Sequence, residues 1–228
     1  GGVWHDWYAA AISRDGGVPK FNDDLIKVFD YNDVDGLEEI FEQNKNEIAA
    51  IVFEPTVYEK PLPEFLSKIR KIADSNNSIL ILDEIVTGFR FALGGGQEYF
   101  DLKGDFVCFG KGMGNGLPIS AISGTEEFMK IFDTLWVSTT NGSETLSLAG
   151  TKAVITEMRE KNTISRCWEN GVKLFDGWNK ITDSYNLNAK MIGYPVRMKL
   201  ECNDSKNQPS DSLKGLILQE MVKRGIFM

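Results

Sequence analysis

The stretch Ile79–Phe89 reads ILILDEIVTGF. Four aliphatic residues run without alternation into Asp83 and Glu84, and Ile85-Val86-Thr87-Gly88 follows. A short apolar run of this kind predicts a strand buried on both faces, as in the interior of a parallel sheet. Ending such a strand on two carboxylates raises a physical question. An ionised carboxylate removed from water is costly unless a cation, a metal or hydrogen-bond donors meet it. The plain answers are an Asp that caps the next turn or pairs with a structural Arg. The alternative is a site whose cation is not part of the strand.

Outward from this stretch, segment types alternate. Leu37–Asn44 (LEEIFEQN) has helical spacing, and Ile48–Phe53 is a short apolar run ending at Glu54-Pro55. Pro63–Asn76 reads as an amphipathic helix with proline at its start, its apolar positions at Phe65, Leu66, Ile69, Ile72 and Ala73. Phe106–Phe109 and Ile119–Ser123 read as strands, and Glu126–Phe132 as a helix. This repetition predicts an α/β fold, a mostly parallel sheet flanked by helices. Leu146–Lys161 is helical, with helix-like sequence continuing to about Trp178. Pro195–Leu200 alternates like a half-buried strand, and Leu213–Arg224 reads as a helix stopped by Gly225. A composition shift near 170–180 marks the expected boundary, giving a large domain over 1–150, a helical connection over 151–178 and part of a smaller α+β domain over 179–228.

Composition excludes several functions. The chain has 228 residues, a net charge of -8 and no basic run, which argues against nucleic-acid or anionic-membrane partners. Cys108, Cys167 and Cys202 are widely spaced and odd in number, pointing to a reducing, cytoplasmic setting without a disulfide framework. His5 is the single histidine, so neither a Ser-His-Asp triad nor a multi-histidine metal site is expected. No apolar run reaches membrane-spanning length.

Three apolar runs end on polar residues: Glu54, Asp83 and Lys111. In parallel α/β sheets, ligands gather beyond the carboxyl ends of the strands. Lys111 sits in FGKGMGNGLP, where glycines at 110, 112, 114 and 116 strip bulk from around one amine, the arrangement an aldehyde cofactor needs. A nucleotide-binding module is the competing reading. It requires G-x-x-x-x-G-K-[ST] or G-x-G-x-x-G, whereas the glycines here read G-x-G-x-G-x-G and run into Leu117-Pro118 instead of a helix.

LDEIVTGFR (82–90) followed by FDLKGDFVCFGKGMGNGLPISAISG (100–124) resembles the class III, pyridoxal-phosphate-dependent aminotransferases, and within them the glutamate-1-semialdehyde aminomutase branch. FEPT (53–56) is similar to that family's Glu-Pro segment, and STTNGSETLSLAG (138–150) to its Gly-Thr-Phe-x-Gly-Asn-Pro segment. WHDWY (4–8) is similar to the stretch after its cofactor-stacking Tyr-His-Gly.

The resemblance implies a fold-type I transferase that uses pyridoxal 5′-phosphate (PLP) as an aminotransferase or aminomutase on a small amino-acid, keto or semialdehyde substrate. On that resemblance Asp83 would pair with the protonated pyridine nitrogen, and Lys111 would hold the cofactor as a Schiff base and then act as the proton-moving base. Ile85 would pack on one ring face. Thr139 or Thr140 would bind the phosphate of the neighbouring subunit's cofactor, which implies a homodimer with shared sites. Glu54 and Glu84 are expected to support the site by hydrogen bonding. Several family features are missing: the Gly/Ser-rich phosphate cup, the Tyr-His-Gly (Gly1-Gly2-Val3 stand there) and the Asn-Pro pair (Ser143-Glu144 here). The chain is therefore expected to be a piece of a longer enzyme lacking both ends, with a catalytically inactive fragment as the alternative.

Overall fold

The ILIL run forms β2 (Ile79–Asp83), an inner strand of a four-stranded sheet. In the computed structural model, which describes residues 25–227, β1 (Ala50–Phe53) and β3 (Phe106–Phe109) flank it and run parallel to it. The Trp4–Tyr8 stretch, with His5, lies outside the described residues. The register pairs Phe53 with Leu82 and Asp83 with Cys108, so the three strands end level with one another. β4 (Ala121–Gly124) then pairs antiparallel with β3. A parallel crossover needs roughly a dozen or more residues. The chain between Phe109 and Ala121 is shorter and spends itself on a tight turn, so the strand must come back the other way.

Side chains alternate across a strand, and only one face of this sheet is fully covered. Leu80 and Leu82 are fully buried and Ile51 and Val107 nearly so, against Leu37 and Phe41 of α1 (Val34–Gln43) and Phe65, Leu66, Ile69, Ile72 and Ala73 of α2 (Phe65–Ser75). The expected burial of β2 on both faces holds on this one alone. Ile79, Ile81 and Asp83, which alternate with the buried pair, are half-buried among the described residues. Arg70 of α2 ties the layers together by pairing with Asp105 at 2.9 Å, and the same Asp105 oxygen accepts the Leu80 amide at 2.7 Å.

After β2 the chain turns on a buried carboxylate. Glu84 has no exposed surface and accepts bonds from the Thr87 hydroxyl and from the Gly96 and Gln97 amides, at 2.7 and 2.5 Å for the amides. Those amides open α3 (Gly96–Tyr99), so the carboxylate satisfies donors that a helix start leaves free. Gly95 sits at φ +91, and a side chain there would collide with the Glu84 carboxylate.

The chain divides into two units, one ending at Thr56 and resuming over Pro61–Thr156, the other made of Val57–Lys60 and the chain from Glu157 on. In the first, α4 (Glu126–Met129) and α5 (Thr145–Glu160) follow β4. In the second, α6 (Thr163–Ser184) runs without a break across 170–180. It is followed by an antiparallel hairpin of β5 (Ala189–Tyr194) and β6 (Arg197–Cys202) and then by α7 (Asp211–Lys223). An isolated two-stranded hairpin is marginal in water. This one is held by a small core of Ala189, Met191, Leu200 and Cys202 against Phe175 and Trp178 of α6 and Leu213 and Ile217 of α7. Asn179 also takes the free edge of β5, donating to the Met191 carbonyl at 3.0 Å and accepting its amide at 2.8 Å.

Two outcomes follow from these bonds. Asn179→Ala leaves both Met191 backbone groups without their partner, and urea unfolding of the second unit is expected to show a loss of about 1–3 kcal/mol. The Glu84 carboxyl has its pKa raised by burial first; the bonds from Thr87, Gln97 and Gly96 oppose this, and the charge of Asp83 adds to it. A raised carboxyl favours the folded state fully below its ordinary value of 4.5. That contribution is lost as pH rises through the folded pKa. The unfolding free energy of the chain relative to Glu84→Gln is therefore expected to fall as pH rises from 4.5 through the folded pKa. A difference that grows over that window contradicts the assignment.

Candidate active site

The order β1-β2-β3 sets β2 in the middle, so Asp83 ends the strand between Glu54 and Lys111. Lys111 follows Cys108, the partner of Asp83, by three residues, a reach of at most about 10 Å along an extended chain. Glu54 is half-buried at the end of β1, directly before buried Pro55 and Thr56.

Asp83 is half-buried, and its Oδ1 accepts the Ile85 amide at 3.0 Å. Its other oxygen has no hydrogen-bond partner among the described residues. Cys108, set opposite, has its thiol pKa raised by burial and then by the Asp83 charge, which keeps it protonated and unreactive.

Lys111 is exposed and opens a 3₁₀ turn (Lys111–Met113) in which its carbonyl accepts the amides of Gly114 and Asn115 at 3.2 and 2.9 Å. Its backbone lies in the left-handed region at φ +41, a conformation that costs a non-glycine residue energy and concentrates at functional sites. The neighbouring glycines divide into two kinds. Gly114 is packed, since a methyl group there would lie 2.5 Å from Ile119, and Gly116 is held at φ +111. At Gly110 and Gly112 the neighbours stand at ordinary contact distance instead. A methyl at Gly110 would stand 3.6 Å from Ile85, and one at Gly112 would stand 3.6 Å from the Gly88 carbonyl. Thus Gly114 and Gly116 serve the backbone turn, while Gly110 and Gly112 add no side-chain bulk on either side of Lys111. Ile85 is half-buried and is the nearest neighbour of Gly110.

Thr139 and Thr140 are exposed and lie in a separate open recess of about 410 Å³, lined also by Pro118, Ile119, Ser120, Ser147 and the 141–144 turn. Neither Asp83, Ile85 nor Lys111 borders it. Glu144 caps α5 at its edge, accepting the Leu146 and Ser147 amides at 2.7 Å each. Its negative charge sits where the helix dipole favours it.

Two contributors are absent from the reading of the sequence. Phe89, at φ +57, packs on Phe109 with ring centroids 5.5 Å apart, and Thr87 supplies the hydroxyl that Glu84 accepts. The spacing of Glu84 and Thr87 is a signal for the second, but nothing local announces the left-handed Phe89. Among the described residues no helix is long and apolar enough to cross a membrane, and no three His, Cys, Asp or Glu side chains gather as a metal site.

The class-III aminotransferase family model matches residues 16–227. The chain is similar to the glutamate-1-semialdehyde 2,1-aminomutase of Alkaliphilus oremlandii, 39% identical over 165 residues that make up 69% of this chain and 39% of that protein. Its fold matches an omega-transaminase from Sphaerobacter thermophilus with a TM-score of 0.82 at 24% identity, covering 93% of this chain and 52% of that one. It matches the FumI protein of Sphingopyxis sp. MTA144, solved in its PLP internal aldimine form, with a TM-score of 0.80 at 21% identity and the same coverage. The chain therefore spans well under two thirds of these relatives. With the match running across nearly the whole sequence, the chain belongs to the class-III aminotransferase family.

Proposed function

We propose that this chain carries the cofactor-binding half of a pyridoxal 5′-phosphate-dependent aminotransferase or aminomutase, acting on a small amino-acid, keto or semialdehyde substrate. The observation that carries the reading is the pairing of Asp83 with Cys108, which sets a carboxylate and the Lys111 amine at adjacent strand ends. The residues fit that cofactor. Lys111 is an exposed amine, Asp83 keeps one oxygen unspent, and Ile85 stands half-buried against Gly110, the residue before Lys111.

When bound, the cofactor supplies an electron-poor ring that accommodates the electron pair left at the substrate's α-carbon. Asp83 holds a proton on the ring nitrogen, because an adjacent carboxylate favours the cationic form. Lys111 provides the amine for covalent attachment at the aldehyde carbon. As a free amine it would move the proton at the substrate's α-carbon. Ile85 covers one ring face and excludes water from it. Thr139 or Thr140 serves the phosphate site of a second copy, which makes the enzyme a homodimer. The spaced thiols of Cys108, Cys167 and Cys202 fit a cytoplasmic setting.

The test is the visible spectrum of the purified chain with added pyridoxal 5′-phosphate. A yellow band that survives dialysis and disappears in Lys111→Ala is expected. In Asp83→Asn the band is expected to persist while the reaction with amino donors slows by about 100-fold or more. An equal band in Lys111→Ala, or no dialysis-resistant band at all, overturns the proposal.

A further inference from the structure

Glu84 has no part in the chemistry given to Asp83 and Lys111, yet it is a fully buried carboxylate, a placement that needs a reason. We infer that Glu84 is a positioning residue: its carboxylate pins the Ile85–Gly95 loop in the conformation that aims both Asp83 and Lys111. The inference rests on the function proposed above and adds to it a residue that sets the geometry of the site.

Toward Asp83 the loop acts through hydrogen bonds. The Glu84 amide donates to Cys108 of β3 at 2.9 Å, and its carbonyl accepts the Gly88 amide at 2.8 Å. Its side chain holds Thr87, Gly96 and Gln97. Backbone and side chain are thus fixed at opposite ends of the loop, and the peptide beside them presents the Ile85 amide to Asp83. That bond orients the Asp83 carboxylate.

Toward Lys111 the loop acts through packing. Gly88 is wedged so that a methyl there would lie 2.6 Å both from the Glu84 carbonyl and from the Phe109 ring. Phe89, forced to φ +57, places its Cβ 3.7 Å from a methyl position on Gly112, the residue after Lys111. Phe89 and Lys111 are both left-handed, and conformations of that kind persist where the surroundings over-determine them. Here the surroundings are a loop that the Glu84 carboxylate holds through Thr87, Gly96 and Gln97, with Glu98 accepting the Gly94 amide at 2.6 Å near its end. Glutamine cannot replace Glu84, because its amide group meets a backbone N–H where Glu84 offers an oxygen.

Amide hydrogen exchange by NMR on the cofactor-free chain tests this without reference to activity. In Glu84→Gln the amides of Ile85, Gly114 and Asn115 are expected to exchange at least about tenfold faster than in the parent. Thr87→Val, which removes one of the three bonds and serves if Glu84→Gln does not fold, gives a smaller change in the same amides. Ile69→Ala, a core cavity in α2, accelerates α2 amides instead. Faster exchange at Gly96 and Gln97 alone, with Ile85, Gly114 and Asn115 unmoved, overturns the inference, as does an equal acceleration of Ile85, Gly114 and Asn115 in Ile69→Ala. In the loaded chain, the pH midpoint of the lysine-dependent band shifts in Glu84→Gln and stays in Ile69→Ala; a midpoint unmoved in Glu84→Gln also overturns it. A parent chain without that band removes the proposed function, while the exchange data still decide the role of Glu84.

Discussion

The parallel pairing of β2 with β3 is the constraint on which the site depends. Its register, Ile81 with Phe106 through Asp83 with Cys108, makes both strands end together. One strand delivers a carboxylate to that edge, and the other delivers a glycine followed by a lysine. The pairing is held by Leu80 and Leu82 beneath it, fully buried against α2, and by Asp105, which takes both the Leu80 amide and Arg70. A slip of one residue would turn Leu80 and Leu82 away from the core and Asp83 into it. The same apolar contacts that stabilise the sheet therefore fix where the carboxylate and the lysine of the proposed site stand.

Beyond the strand ends, order comes from polar groups placed where few can be tolerated. Glu84 replaces water for two amides and a hydroxyl, and the loop it closes runs under Phe89 to the turn that carries Lys111. Rigidity at that turn matters because a free lysine side chain has many rotamers to lose on ordering. The left-handed backbone of Lys111 starts the side chain from one fixed direction. Gly110 and Gly112, on either side of it, add no side-chain bulk.

Much of this was legible in the residues. The ILIL run, the amphipathic face of α2 and the FVCF run each declare their element through their apolar pattern, and LDEIVTGFR with the segment around FGKGMGNGLP carried the family resemblance. Other features were illegible for physical reasons. β5 contains Lys190 and Gly193 and draws its stability from Trp178 and Asn179 on another element, so its own pattern is weak. Half-burial of Ile79 and Ile81 depends on what covers the second face of the sheet, which a strand's sequence does not encode. A left-handed Phe89 follows from the wedge at Gly88, a contact between distant segments.

The central claim is that the β2–β3 register makes Lys111 the amine that meets the cofactor. Borohydride reduction of the chain with a stoichiometric amount of pyridoxal 5′-phosphate, followed by peptide mass mapping, tests it most directly. A single reduced adduct on the peptide containing Lys111 is the predicted result. Adducts spread over exposed lysines such as Lys103 and Lys130, with none concentrated on Lys111, would contradict it.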